Sequence, residues 1–97
     1  MRVIARKALK RFWEQHPDAE SPLRLWYSQA SKADWKTPAD IRADYRSASI
    51  LLNNRVVFNI KGNHYRLVVF VLFRRSTIYI RFIGTHQEYD QIDAATI

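Results

Sequence analysis

The stretch VVFNIKGNHYRLVVFVLFRRSTIYIRFIG, residues 56–84, decides the fold. Its apolar residues recur with period two, the pattern of strands that bury one face. Val56, Phe58 and Ile60 alternate with Val57, Asn59 and Lys61, and Gly62-Asn63 supplies a two-residue turn. Around that turn Lys61 pairs with His64 and Asn59 with Arg66, and residues paired in this way share a sheet face. A second turn at Arg74-Arg75 pairs Val68 with Arg81 and Phe70 with Tyr79. The two hairpins agree on one inner face: Phe58, Ile60, Leu67, Val69, Val71, Ile78, Ile80 and Phe82. They also agree on an outer face carrying Asn59, Lys61, His64, Arg66, Tyr79 and Arg81. A slip of one residue would bury those charges, so the register is strongly specified.

The inner face needs a cover, and the residues before it supply one. Over residues 6–16, Leu9, Phe12, Trp13 and His16 fall on one helical face and Lys7, Lys10, Arg11 and Glu14 on the other. Pro17-Asp18 stops that helix, and Ser21-Pro22 reads as the start of the next, with an N-cap hydroxyl and a first-turn proline. Leu23, Trp26, Tyr27, Ala30 and Ala33 then recur at helical spacing, placing Trp13 and Trp26 toward the sheet. Thr37-Pro38-Ala39-Asp40 opens a further short helix, and residues 46–54 read as a connecting loop. Residues 2–5 read as an edge strand or extended lead-in. Beyond the sheet, Thr85-His86-Gln87-Glu88 is a capping box that begins a last helix to about Asp93. The expectation is one α+β domain over residues 1–97. Helices pack on one face of a small antiparallel sheet in the order β-α-α-β-β-β-α, and the chain finishes on a short helix.

Charge is distributed unevenly. The 97 residues carry a formal net charge of +7, yet no Asp or Glu stands between Tyr45 and Gln87. That span holds Arg46, Arg55, Lys61, Arg66, Arg74, Arg75 and Arg81. A half-chain of this kind cannot neutralise itself and presents a positive field, for which nucleic acid is the commonest polyanionic partner. No apolar run has the length of a bilayer crossing, and the opening residues turn charged too soon for a signal peptide, so a cytoplasmic protein is expected. With no cysteine there is neither a disulfide framework nor a thiolate metal site. The two glycines, Gly62 and Gly84, exclude a Gly-rich phosphate loop.

Lys61, His64, Arg66, Arg81, His86 and Tyr89 have the side-chain chemistry for RNA cleavage. A base removes the proton of a ribose 2′-hydroxyl, cations hold the phosphate as charge builds on it, and an acid protonates the departing 5′-oxygen. The nucleophile belongs to the substrate, so neither metal nor cofactor is expected. Arginine suits the phosphate, and imidazole serves as acid or base near neutrality. Plainer roles stand beside these. Lys61 and His64 flank a turn, where polar residues keep a turn solvated; His86 stands four residues before Asp90; Tyr89 is of a type that usually packs. Trp13, Trp26 and Trp35 read as core residues, and His16 as a helix-end histidine without a metal partner. Residue types alone thus support a basic domain with an anion-binding sheet face and leave catalysis open.

The run Val57-Phe58-Asn59-Ile60-Lys61-Gly62-Asn63-His64-Tyr65-Arg66-Leu67, followed by Thr85-His86-Gln87-Glu88-Tyr89-Asp90, resembles the HigB family of type II toxin–antitoxin toxins. Ala33-Asp34-Trp35-Lys36-Thr37-Pro38 and the opening Val3-Ile4-Ala5 resemble it too, so the likeness covers nearly the whole chain. The resemblance implies a RelE-like fold and an endoribonuclease that cuts messenger RNA on the ribosome. It also implies a helix-turn-helix antitoxin (HigA-like) as partner, through which alone the toxin meets operator DNA. Carried over by position, it puts the RNA face on Lys61, Asn63, Arg66, Arg81, His86 and Tyr89. Asn59, His64, Arg55, Arg74 and Arg75 are expected as further RNA contacts. RelE-like toxins often present a pair of basic residues on the second sheet strand, whereas here Lys61 alone stands before the turn. A same-fold toxin acting on a protein such as gyrase, and a non-catalytic RNA-binding module, are the competing readings.

Overall fold

A computed structural model describes all residues, 1–97. The alternating residues of 55–85 form three long strands: β3 (Arg55–Ile60), β4 (Tyr65–Leu72) and β5 (Thr77–Thr85). They pair antiparallel, β3 with β4 from Arg55↔Phe70 to Ile60↔Tyr65, and β4 with β5 from Leu72↔Thr77 to Tyr65↔Thr85. The expected Asn59↔Arg66 and Phe70↔Tyr79 pairs are present. Two short strands, β1 (Arg2–Ile4) and β2 (Ser49–Ile50), complete a five-stranded sheet of order β1-β5-β4-β3-β2. The N-terminal lead-in forms β1 (Arg2–Ile4), parallel to β5, so the sheet is mixed. Within the stretch read as a loop, Ser49–Ile50 pairs with β3 as β2.

The helices cover the inner face. Helix α1 (Arg6–Gln15) buries Leu9 and Trp13, and α2 (Glu20–Lys32) buries Leu23, Trp26 and Ala30. These join Phe58, Ile60, Leu67, Val69, Val71 and Ile78 in one apolar core. Phe58 sits at its centre, with Trp26, Trp35 and Tyr45 rings 5.4, 6.2 and 5.1 Å away. Helix α2 starts a residue before the expected Ser21 cap. Pro17 opens a 3-10 turn, Pro17–Ala19, and Ala19 is already right-handed helical, so the turn runs directly into α2 without a side-chain cap. Helix α3 (Pro38–Asp44) begins as its sequence requires: Asp40 N–H donates to Thr37 Oγ1, and Asp40 Oδ2 accepts from Thr37 N–H.

The second hairpin departs from strict alternation. Val69 pairs with Ile80 but Val68 pairs with Phe82, which leaves Arg81 as an extra residue in a β-bulge. The expected Val68–Arg81 pair is therefore absent. One inserted residue also exchanges the faces beyond it. Ile83 packs against the main core, while Phe82, expected there, lies on the opposite side with Val57 and Val68. That outer side is not open throughout. Ala94 is buried against Val57 and Val68, and Ile92, Ile97, Leu51 and Tyr89 close around them in a second, smaller core. The last helix, α4 (His86–Tyr89), stops short of Asp93, and the residues after it fold over the sheet.

Candidate active site

The pairing of Tyr65 with Thr85 sets the start of β4 beside the end of β5. The turn at residues 61–64 and the first residues of α4 are thereby neighbours, and His86 N–H donates to His64 O at 3.2 Å. The turn is tight: Lys61 and Gly62 have φ of 52° and 62°, and His64 N–H closes it on Lys61 O at 3.2 Å. Helix α4 is fixed by the expected box, with Glu88 N–H donating to Thr85 Oγ1 at 3.1 Å and Thr85 N–H to Glu88 Oε1 at 2.8 Å. Gly84 makes room for this corner. A methyl group there would stand 2.5 Å from Phe82 Cζ and 3.0 Å from Glu88 Oε1. Thr85→Ala removes one half of the box, and urea melts are expected to show a loss of about 1 kcal/mol.

Arg66 lies between these two segments, on the face away from α1 and α2 and paired with Asn59 and Gly84. Its Nη1 donates to Asn63 O at 3.1 Å and to Tyr65 O at 3.4 Å, and its guanidinium stands 6.0 Å from the Tyr89 ring centre. Two backbone carbonyls and an aromatic ring surround the fork, and no carboxylate is paired with it. One turn of α4 away, His86 Nε2 is 3.5 Å from Asp90 Oδ1, and both side chains are exposed. The His64 ring is tied through Nδ1 to Lys61 O at 2.9 Å. The structure thus gathers Arg66, Asn63, His64, His86 and Tyr89 at one corner of the sheet. An oriented guanidinium can hold a phosphate there, and an imidazole beside a carboxylate can move a proton. No group of three or more His, Asp or Glu side chains is assembled that could hold a metal ion, and no helix is long and apolar enough to cross a membrane.

Other expected members are placed differently. Lys61 does not share the face of Arg66. Its left-handed backbone breaks the alternation, and its Nζ lies 2.6 Å from Asp18 Oδ2, on the 3-10 turn of the helical layer. Asp18 also accepts a hydrogen bond from the Tyr65 hydroxyl. These two donors, Lys61 foremost, hold the Asp18 carboxyl below the usual range, and the same contact pushes the Tyr65 phenol up. The link is complete above the ordinary Asp value of 3.8 and is lost as pH falls through the lowered one. Arg81 is exposed at the bulge, roughly 10 Å along β5 from the residue opposite Arg66. Arg74 and Arg75 occupy a 3-10 turn at the far end of β4, roughly 25 Å from the 61–64 turn. Arg55 is engaged by the C-terminal segment: Nε donates to Ile97 O at 3.0 Å, Nη1 donates to Asn53 O at 2.9 Å, and the guanidinium lies 4.9 Å from the Phe70 ring centre. Asn59 keeps the face of Arg66, with Nδ2 donating to Ser47 O at 3.5 Å. Asp18 was not legible as a site residue, since nothing in the sequence connects position 18 to position 61. Asp90 was legible, through its spacing from His86.

Comparison with known proteins identifies the family. Residues 19–92 match the family described as HigB toxin, RelE-like toxic component of a toxin–antitoxin system. The "mRNA interferase toxin HigB" of Escherichia coli K12 is 35% identical over 92 residues, covering 93% of this chain and 88% of that protein. The "mRNA interferase HigB" of Shigella flexneri matches to the same extent. Another "mRNA interferase HigB", from Escherichia coli O6:H1, is 21% identical over 94 residues, covering 95% of this chain and 91% of its own. The match takes in the 61–64 turn, Arg66 and the segment from His86 to Asp90 alike, and the chain belongs to the HigB family of RelE-like toxins.

Proposed function

We propose that this protein is the toxin of a type II toxin–antitoxin pair and an endoribonuclease that cleaves messenger RNA, in the cytoplasm and on the ribosome. The 2′-hydroxyl attacks the adjacent phosphorus, the 5′-oxygen departs, and no metal takes part. The observation that carries this reading is the Arg66 guanidinium, oriented by Asn63 O and Tyr65 O, unpaired with any acid, and set beside the helix bearing His86 and Tyr89. Arg66 holds the scissile phosphate and stabilises its developing charge. His86, with Asp90 behind it, transfers the proton, and Tyr89 positions the RNA. The corner is shallow and exposed, so much of the rate comes from the ribosome orienting its messenger, and binding geometry stands in for an enclosed pocket. Residues 1–97 act as one domain, neutralised by a helix-turn-helix antitoxin that alone contacts operator DNA.

The experiment that tests it is 5′-end mapping of cellular RNA after induction, with Arg66→Ala as control. New ends within coding sequence, absent from the control, are expected. Ends identical in both strains would reject the reading. Binding to ribosomes or RNA is also expected to weaken steeply with salt, because each phosphate contact releases counterions. Affinity that ignored salt in a filter-binding titration would favour a protein target.

A further inference from the structure

Of the lysines and arginines in the acid-free span, Lys61 alone is ion-paired with an acidic side chain. That partner, Asp18, comes from 43 residues away in sequence. The two sides of the contact are not equally fixed. Asp18 is held from behind by the hydroxyl of Tyr65, which is buried and packed edge-on to Phe12 and His16, with ring centres 5.1 and 5.4 Å apart. Lys61 reaches it on a flexible stem from an exposed turn. In any exchange of partners it is Lys61 that moves.

We propose that Asp18 holds the place of an RNA phosphate: its carboxylate occupies Lys61 in the free protein, and Lys61 exchanges it for a phosphodiester oxygen when RNA runs past the turn. The inference rests on the RNA-binding function proposed above and deepens it. Carboxylate and phosphodiester both offer an ammonium anionic oxygens. The pair is breakable, since its side chains are 43% and 44% exposed and water screens their attraction. Asp18 keeps its bond from Tyr65 after the exchange, so the helical layer is undisturbed. Lys61, Gly62, Asn63 and His64 line a depression at the turn, next to Arg66, where a neighbouring phosphate of the strand would lie. The Asp18 carboxylate therefore weakens RNA binding, and it does so through Lys61.

The test is a double-mutant cycle read by binding, not cleavage. The ligand is single-stranded RNA methylated at every 2′-oxygen, which lacks the nucleophile. Wild type, Asp18→Asn, Lys61→Ala and the double variant are titrated at low salt. Asparagine retains an acceptor for Tyr65 and removes the charge; Asp18→Ser is run in parallel, and melting curves establish which variants are folded. Asp34→Asn, which frees Lys36 from its own pair, measures the general effect of one lost negative charge. Asp18→Asn is expected to bind about two- to fivefold tighter than wild type and tighter than Asp34→Asn, with the gain vanishing when Lys61 is alanine. A carboxylate that only braced the turn would weaken binding on removal. Unchanged or weaker binding by the folded Asp18 variants, or a gain that survives Lys61→Ala, overturns the proposal. Wild-type protein that neither binds nor cuts RNA overturns the proposed function and this exchange with it.

Discussion

Arg66→Ala is expected to lower the single-turnover rate of RNA cleavage on programmed ribosomes by about a hundredfold or more, with the protein still folded. The size follows from where the charge forms. In the pentavalent state the non-bridging oxygens gain negative charge, and a guanidinium already oriented toward them need not reorganise as it develops. The orientation is supplied by Asn63 O and Tyr65 O, which accept from Nη1, and by the Tyr89 ring. Arg66 makes no ion pair and stays outside both apolar cores, so its removal leaves no buried charge and costs little stability. Arg66→Lys keeps the charge but loses the fork, and is expected to recover only part of the rate. Arg81→Ala is expected to cost less than Arg66→Ala, because the bulge moves Arg81 out of the pairing that would have set it beside the phosphate. A folded Arg66→Ala variant that cut at the wild-type rate would show that the active corner lies elsewhere.

The pairing of Arg66 is legible in the sequence and that of Arg81 is not, for physical reasons. Arg66 lies one ladder pair beyond Ile60–Tyr65 in a hairpin with a short, glycine-containing turn, so its partner Asn59 follows from counting. Arg81 lies beyond a bulge, and a bulge is an extra residue that alternation cannot reveal, because Ile80, Phe82 and Ile83 are all apolar and satisfy either face. The same ambiguity put Phe82 in the wrong core. Local signals fared best: the Thr37 and Thr85 boxes need only residues three apart, and both formed. Contacts between distant segments fared worst. Asp18 to Lys61, Arg55 to Ile97 and the tail over Val68 depend on closure of the whole fold, and no spacing rule reaches that far.

His86→Ala is expected to slow cleavage by about a hundred- to ten-thousandfold, the range in which a positioned acid or base acts. Three observations single out this histidine. Its backbone is anchored to His64 O, its helix is fixed by the Thr85–Glu88 box, and its Nε2 faces Asp90 Oδ1 at 3.5 Å. A carboxylate in that place orients the ring, so Asp90→Asn should reduce the rate as well, by a smaller factor. The other candidates are less suited. The His64 ring is tied through Nδ1 to Lys61 O, and the Lys61 ammonium is paired with Asp18 in the free protein and, in the exchange proposed above, with an RNA phosphate. Tyr89 is half-buried in the second core, so Tyr89→Ala loses packing together with any contact to RNA. The measurement is the pH–rate profile of single-turnover cleavage for each folded variant. Loss of one ionising limb in His86→Ala, with the limb retained in Tyr89→Phe, is the expected outcome. A His86→Ala profile of unchanged shape and height would remove the imidazole from the reaction and leave Arg66 to act on a substrate whose proton transfers are carried by the ribosome or by water.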